Sequence, residues 1–235
     1  MKRKTKRKTK RKSKKNSLKI IDIPLSDKKS KGTRATSGNI DFNYQKYKNI
    51  NLFFNKLNFE TLNKQIYNIS LKCNKKKIIP FIYNNIIPGN IFTIIIINID
   101  TKEGGHANIA LINNLNKTIE YFEPHGYRKN KDSDIAGCKG IYRSKFKILM
   151  KLFKEILPAY TLINTVEHKK ASSFQSLLDP DENTGFCVMW CILFVHYRLL
   201  NQNILISKLI KHIDKFMSTN RLLKYAKYIE EVVKS

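Results

Sequence analysis

Apolar positions along the chain change their period several times, and each change marks an element. "IFTIIIINI" (91–99) is a run of β-branched residues between Pro88-Gly89 and Asp100, the mark of a buried strand. In "GGHANIALINNLNKTIEYFEPHG" (104–126), two apolar stretches flank an Asn-rich bend, which predicts an antiparallel hairpin of strands 106–113 and 118–124. "YRSKFKILMKLFKEIL" sets Phe146, Leu149, Leu152, Phe153 and Ile156 on one helical face, and Pro158 ends it. "YTLINTV" (160–166) suits a further strand. The nearly unbroken apolar content of "CVMWCILFVHYRLL" (187–200) fits a helix buried in the core. Two amphipathic helices close the chain, one carrying Ile206, Leu209, Ile210 and Ile213, the other Leu222, Ala226, Ile229 and Val233. Upstream, Phe53, Phe54, Leu57, Leu62, Ile66 and Ile69 recur at helix-like intervals and predict two short helices between Asp41 and about Lys75.

The order is helices, strands, then helices, with few crossovers. It predicts an α+β domain in which a small mixed or antiparallel sheet (strands near 91–99, 106–113, 118–124 and 160–166) packs on the helix from Cys187.

Charge separates the N-terminus from this domain. Residues 2–15, "KRKTKRKTKRKSKK", hold 11 Lys or Arg and no acid, out of a net charge of +27. With no apolar residue to bury, the segment is expected to be a disordered arm, either a solubilising tail or an electrostatic contact for nucleic acid or a nuclear-import signal. The organisation expected is a basic tail (1–16), a polar linker (17–40), a helical region (41–89) and a main domain (90–235). The basic start is followed by polar residues and not by an apolar signal-peptide core, and 91–99 is too short to span a bilayer. No membrane association is expected. Four cysteines without an export signal point to a reducing compartment and to thiols.

Two segments carry chemistry. A two-residue turn at Asn114-Leu115 would set His106 directly opposite Glu123, Asn108 opposite Tyr121 and Ala110 opposite Ile119. Facing residues have Cβ atoms roughly 5 Å apart, close enough for a carboxylate to accept an imidazole N–H, fix its tautomer and stabilise the imidazolium. The register decides this. A slip of one residue sends Glu123 to the other face, and a shift of three brings Glu120 opposite instead. An ordinary surface His–Glu pair is the plainer reading of the same hairpin. In "SSFQSLLDPDENTGFCVMWC" (172–191), a polar approach leads to Cys187 in the first turn of the buried helix. Unpaired backbone N–H groups and the helix dipole favour a nucleophilic thiolate there, against the commoner fate of a small core residue, which suits Cys191 better. Gln175 lies in the same loop, where its amide can donate to an oxyanion. A metal site on Cys187, Cys191 and His196 is disfavoured because His196 falls half a turn away.

A His, an acid seventeen residues later, then a Gln, then a Cys opening an apolar helix: this order, over residues 90–200, resembles the adenovirus protease and the SUMO/ubiquitin-like-protein-specific proteases. "HANIALINNLNKTIEYFEPHG" with "GFCVMWC" looks most like the processing proteases of large DNA viruses in that clan. The chain departs from it at Ala107 and Val188, where many relatives carry Trp and Gly, and in the long gap from Gln175 to Cys187. The resemblance implies a papain-like fold of the ubiquitin-like-protease type, with His106 as general base, Glu123 as orienting acid, Gln175 as oxyanion donor and Cys187 as nucleophile, and no cofactor. It further implies cleavage of viral structural polyproteins at Gly-containing sites, in the host cytoplasm, virus factory or virion, with the nucleus reachable through the basic tail. Residues 2–15 would add non-specific DNA contacts. A ubiquitin or SUMO deconjugase, an acetyltransferase using the same triad, and a non-enzymatic basic nucleic-acid-binding protein are the competing expectations.

Overall fold

A computed structural model describes residues 18–21, 52–54, 56–57, 67–70, 91–101, 104–124, 141–165, 187–216 and 219–235. The basic tail, most of the linker, Gln175 and its loop, His125, His168, Cys73 and Cys138 lie outside the described residues.

Five strands form one mixed sheet in the order β1-β2-β3-β4-β5: Tyr67–Ser70, Phe92–Thr101, Gly104–Asn113, Thr118–Phe122 and Thr161–Asn164. The inner pairs β2–β3 and β3–β4 are antiparallel, whereas β1 and β5 lie parallel to their neighbours. Helix α1 (Ile141–Ile156) connects β4 to β5, the long crossover that parallel strands require. Helices α2 (Cys187–Leu200), α3 (Ile206–Phe216) and α4 (Thr219–Lys234) follow. The α+β class, the mixed sheet and the buried helix from Cys187 are as the hydrophobic pattern predicts. Residues 67–70 correct it: they form β1, paired with Ile95–Asn98, where helical periodicity had been read. A four-residue edge strand carries too short an alternation to compete with a longer helical pattern.

Both faces of the sheet are covered, which explains the unbroken Ile run of β2. On one face Ile95, Ile97, Ala110, Ile112 and Ile119 meet Leu149, Leu152, Phe153 and Ile156 of α1. On the other, Ile94, Ile96, Ile109, Leu111 and Phe122 meet α2, with the Phe122 and Phe194 rings stacked at 4.6 Å. Helices α3 and α4 wrap the far side of α2, whose residues are buried all round. His196 joins this layer: its Nδ1 lies 3.0 Å from the Tyr225 hydroxyl, and the Phe53 and Phe54 rings stand edge-on to it. Burial drives its pKa down to about 4, so it is a neutral core residue.

The backbone N–H of Lys19 donates to Asn201 Oδ1 at 2.7 Å, and Asn201 Nδ2 donates back to the Lys19 carbonyl at 3.0 Å. The Asn201 amide thus acts as a strand would. It fixes Lys19 beyond the C-terminal end of α2, and Ile21 sits in the core beside it.

Candidate active site

Strand β3 positions His106 and the end of β4 positions Glu123, but the register between them differs from the one expected. Ile109 pairs with Phe122, Ala110 with Tyr121, Leu111 with Glu120 and Ile112 with Ile119, closing at Asn113 and Thr118. The connection is therefore the four residues 114–117 and not the two-residue turn at Asn114-Leu115. Its cause is local. Asn113 Oδ1 accepts the Asn116 N–H at 3.0 Å, and Lys117 takes a left-handed backbone (φ 52°) that returns the chain to the sheet. The whole pairing moves by two residues, which preserves the face each residue occupies. Continued past Phe122, it sets Glu123 opposite Asn108, and His106 becomes its diagonal neighbour, roughly 7–8 Å away at the backbone. Asn108 still reaches Tyr121, diagonally: its Nδ2–H donates to the Tyr121 hydroxyl.

Glu123 follows β4, is 9% exposed and precedes Pro124, which has no N–H to continue the ladder. Glu120, the alternative acid, is committed elsewhere. It pairs with Leu111 and takes Arg198 Nη2 at 2.6 Å in a buried ion pair between β4 and α2. Burial raises its pKa more than the Arg198 guanidinium lowers it. Arg198 also donates to the carbonyls of Asn201 (3.2 Å) and Ile204 (2.6 Å), tying down the turn that follows α2. This pair escaped the sequence reading. A lone Glu in "TIEYF" and a lone Arg in "FVHYRLL" are opposite charges inside apolar segments, and that was the available signal.

Helix α2 brings the cysteines to the same end of the sheet. Cys187 is its first residue and 6% exposed. One turn later the Cys191 thiol donates to the Ala107 carbonyl across 3.4 Å, seating α2 on the residue next to His106. Burial above all, then the charges of Cys187 and Glu123, push the Cys191 thiol well above its usual pKa, so it stays protonated. The Cys191 thiol thus bonds to the residue following His106 and feels the charges of Cys187 and Glu123. By strand alternation Glu123, like Tyr121, belongs to the side of the sheet that meets α1, and α2 covers the other. The backbone places three of the four expected site residues at one end of the sheet, and the fourth, Gln175, lies outside the described residues. Among the described residues no cluster of three metal-ligating side chains occurs, and no helix is long and apolar enough to cross a membrane.

No known family profile matches the chain. A putative ankyrin repeat protein of Acanthamoeba polyphaga mimivirus is 26% identical over 158 residues, a stretch covering 58% of this chain. The match spans 20% of that longer protein. Among solved structures, the Chlamydia trachomatis effector protein ChlaDUB1 is similar over 80% of this chain and 84% of its own, at 12% identity and a TM-score of 0.48. A second structure of it gives 0.49 at 11% identity, over 80% of this chain and 90% of its own. The C. trachomatis effector protein Cdu1 bound to ubiquitin gives 0.46 at 12% identity, over 80% of this chain and 92% of its own.

Proposed function

We propose that this chain is a cysteine peptidase of the ubiquitin-like-protease type that hydrolyses an amide bond through Cys187. The observation that carries the reading is the contact of Cys191 with Ala107. The helix that opens with Cys187 is seated on Ala107, the neighbour of His106, and the charge of Glu123 reaches the same place. In this mechanism His106 takes the Cys187 proton, and the thiolate attacks the scissile carbonyl to form a tetrahedral oxyanion. The Cys187 amide and Gln175 stabilise that oxyanion, and His106 then protonates the leaving amine. Water hydrolyses the thioester. Glu123 orients His106 and stabilises its imidazolium.

The substrate class proposed is a ubiquitin-like protein joined to its target through a C-terminal glycine. A viral polyprotein with Gly-containing cleavage sites is the second reading, supported by the motif resemblance. Both need a nucleophile that accepts a glycyl carbonyl, so one set of assays covers them: ubiquitin and SUMO C-terminal fluorogenic substrates beside Gly-Gly-X peptides. The expected result is turnover of one class that Cys187→Ala abolishes and Glu123→Gln reduces by roughly 10²–10⁴-fold. Iodoacetamide labelling of Cys187 that His106→Ala leaves unchanged overturns the reading.

We also propose that residues 2–15 contact nucleic-acid phosphates without sequence preference. Their 11 cations lead into Lys19, which Asn201 holds at the end of α2 away from Cys187. Duplex DNA binding that weakens steeply with salt and vanishes on deleting residues 1–16 is expected. Binding retained by the deletion variant refutes this role.

A further inference from the structure

Asn108 is out of place in the sheet. It is 0% exposed and sits beside Ile97 in the layer that faces α1, among side chains that are mostly aliphatic. Its Nδ2 donates to the Tyr121 hydroxyl, but its Oδ1 has no hydrogen-bond partner. A buried amide with an unused acceptor is unfavourable, and a Leu of similar size would fill the position without that cost. The β3–β4 pairing, carried one step beyond Ile109 and Phe122, sets Asn108 directly across from Glu123. It also stands two residues along β3 from His106, as Tyr121 stands two residues before Glu123 on β4.

We infer that Asn108 and Tyr121 together are positioning residues for Glu123, holding the carboxylate that orients His106. The inference rests on the protease reading above. Its chemistry is a count of donors. The Tyr121 oxygen accepts from Asn108, which leaves its own proton to donate, and burial, reinforced by the Glu123 charge, keeps that proton in place. The two ends of the Asn108 amide have the same shape. Turned over, the amide accepts the Tyr121 O–H through Oδ1 and presents its N–H groups at the position now without a partner. In either orientation the pair offers donors, and Glu123 is the acceptor that the strand register supplies. A carboxylate held this way keeps one rotamer while the residue it orients gains and loses its proton.

The test is the pH profile of Cys187 alkylation by iodoacetamide, mapped by mass spectrometry, in the full chain. The set is wild type, His106→Ala, Glu123→Gln, Asn108→Leu, Tyr121→Phe and the Asn108→Leu/Glu123→Gln double variant. Asn108→Leu and Tyr121→Phe should each slow labelling at neutral pH by about tenfold, the scale of a lost orienting partner, and move the profile towards that of Glu123→Gln. In the Glu123→Gln background Asn108→Leu should add nothing, because it acts through Glu123. Tyr121→Phe removes a single oxygen and guards against misfolding of the Asn108 variant. A wild-type profile in both single variants, or effects that multiply with Glu123→Gln, overturns the inference. If His106→Ala instead leaves the wild-type profile intact, the protease reading itself fails, whatever Asn108 does.

Discussion

Replacing Arg198 with Met should make the stability of this protein fall as pH rises from 5 to 7, and the size of the fall can be worked out. Arg198 and Glu120 are almost wholly buried, with side-chain exposures of 6% and 1%. Without the guanidinium, the Glu120 carboxylate faces an apolar layer with no counter-charge, and it folds protonated. Its folded pKa is then far above the unfolded value of about 4.3. For a group whose pKa is raised by folding, stability is fully present below the unfolded pKa and is lost as pH climbs towards the folded one. Holding the proton costs about 1 kcal/mol at pH 5 and about 3.7 kcal/mol at pH 7, at 1.36 kcal/mol per unit. In the wild type Glu120 is also raised, but Arg198 opposes the shift, so part of this slope is already present. The variant should therefore lose up to about 2.7 kcal/mol more than wild type between pH 5 and 7, less whatever part of the slope wild type already shows. The lost hydrogen bonds to the Asn201 and Ile204 carbonyls add a constant that cancels between the two pH values. Trp190, the single tryptophan and fully buried in α2, reports urea unfolding at each pH. Adding Glu120→Leu should abolish the pH dependence. A difference from wild type that is equal at pH 5 and pH 7 would refute the reasoning.

Three further outcomes are expected. His196, held neutral with a pKa of about 4, resists protonation that the unfolded chain accepts near 6.5, so its contribution is complete above 6.5 and is lost as pH falls towards 4. His196→Phe should remove up to about 3 kcal/mol of that acid sensitivity, read as a flatter thermal midpoint between pH 7 and 4.5. Asn201→Ala breaks both hydrogen bonds to Lys19 and should cost about 1–3 kcal/mol while making Lys19 a site of rapid tryptic cleavage in an otherwise folded protein. Cys191→Ser keeps a donor for the Ala107 carbonyl and should leave Cys187 labelling intact, whereas Cys191→Leu, which crowds that contact, should slow it.

Long periodic elements were legible because burial alone dictates them. The Ile run of β2, the amphipathic face of α1 and the nearly unbroken apolar content of α2 each admit one reading, and each appears within a residue or two of its expected bounds. Strand β1 was not legible, since four residues paired in parallel to a distant segment leave no local signature. The hairpin failed differently. Strand identities and faces were right, but "NNLNK" offers several asparagines able to build a turn, and local composition does not choose among them. The choice fell to Asn113 and to the left-handed Lys117, and it moved Glu123 from facing His106 to standing diagonal to it. The Glu120–Arg198 pair joins positions 78 residues apart, which no local pattern ties together.

The burial of α2 on all sides has a consequence for motion. Twelve of its fourteen residues are covered, and the layers that cover it are the sheet on one side and α3 with α4 on the other. Local fraying of such a segment would expose the centre of the molecule, so the cheapest opening that frees its amides is unfolding of the whole. Hydrogen exchange along α2 beyond its first turn is then as slow as global unfolding allows. Cys187, in that first turn, is joined directly to the most protected segment among the described residues.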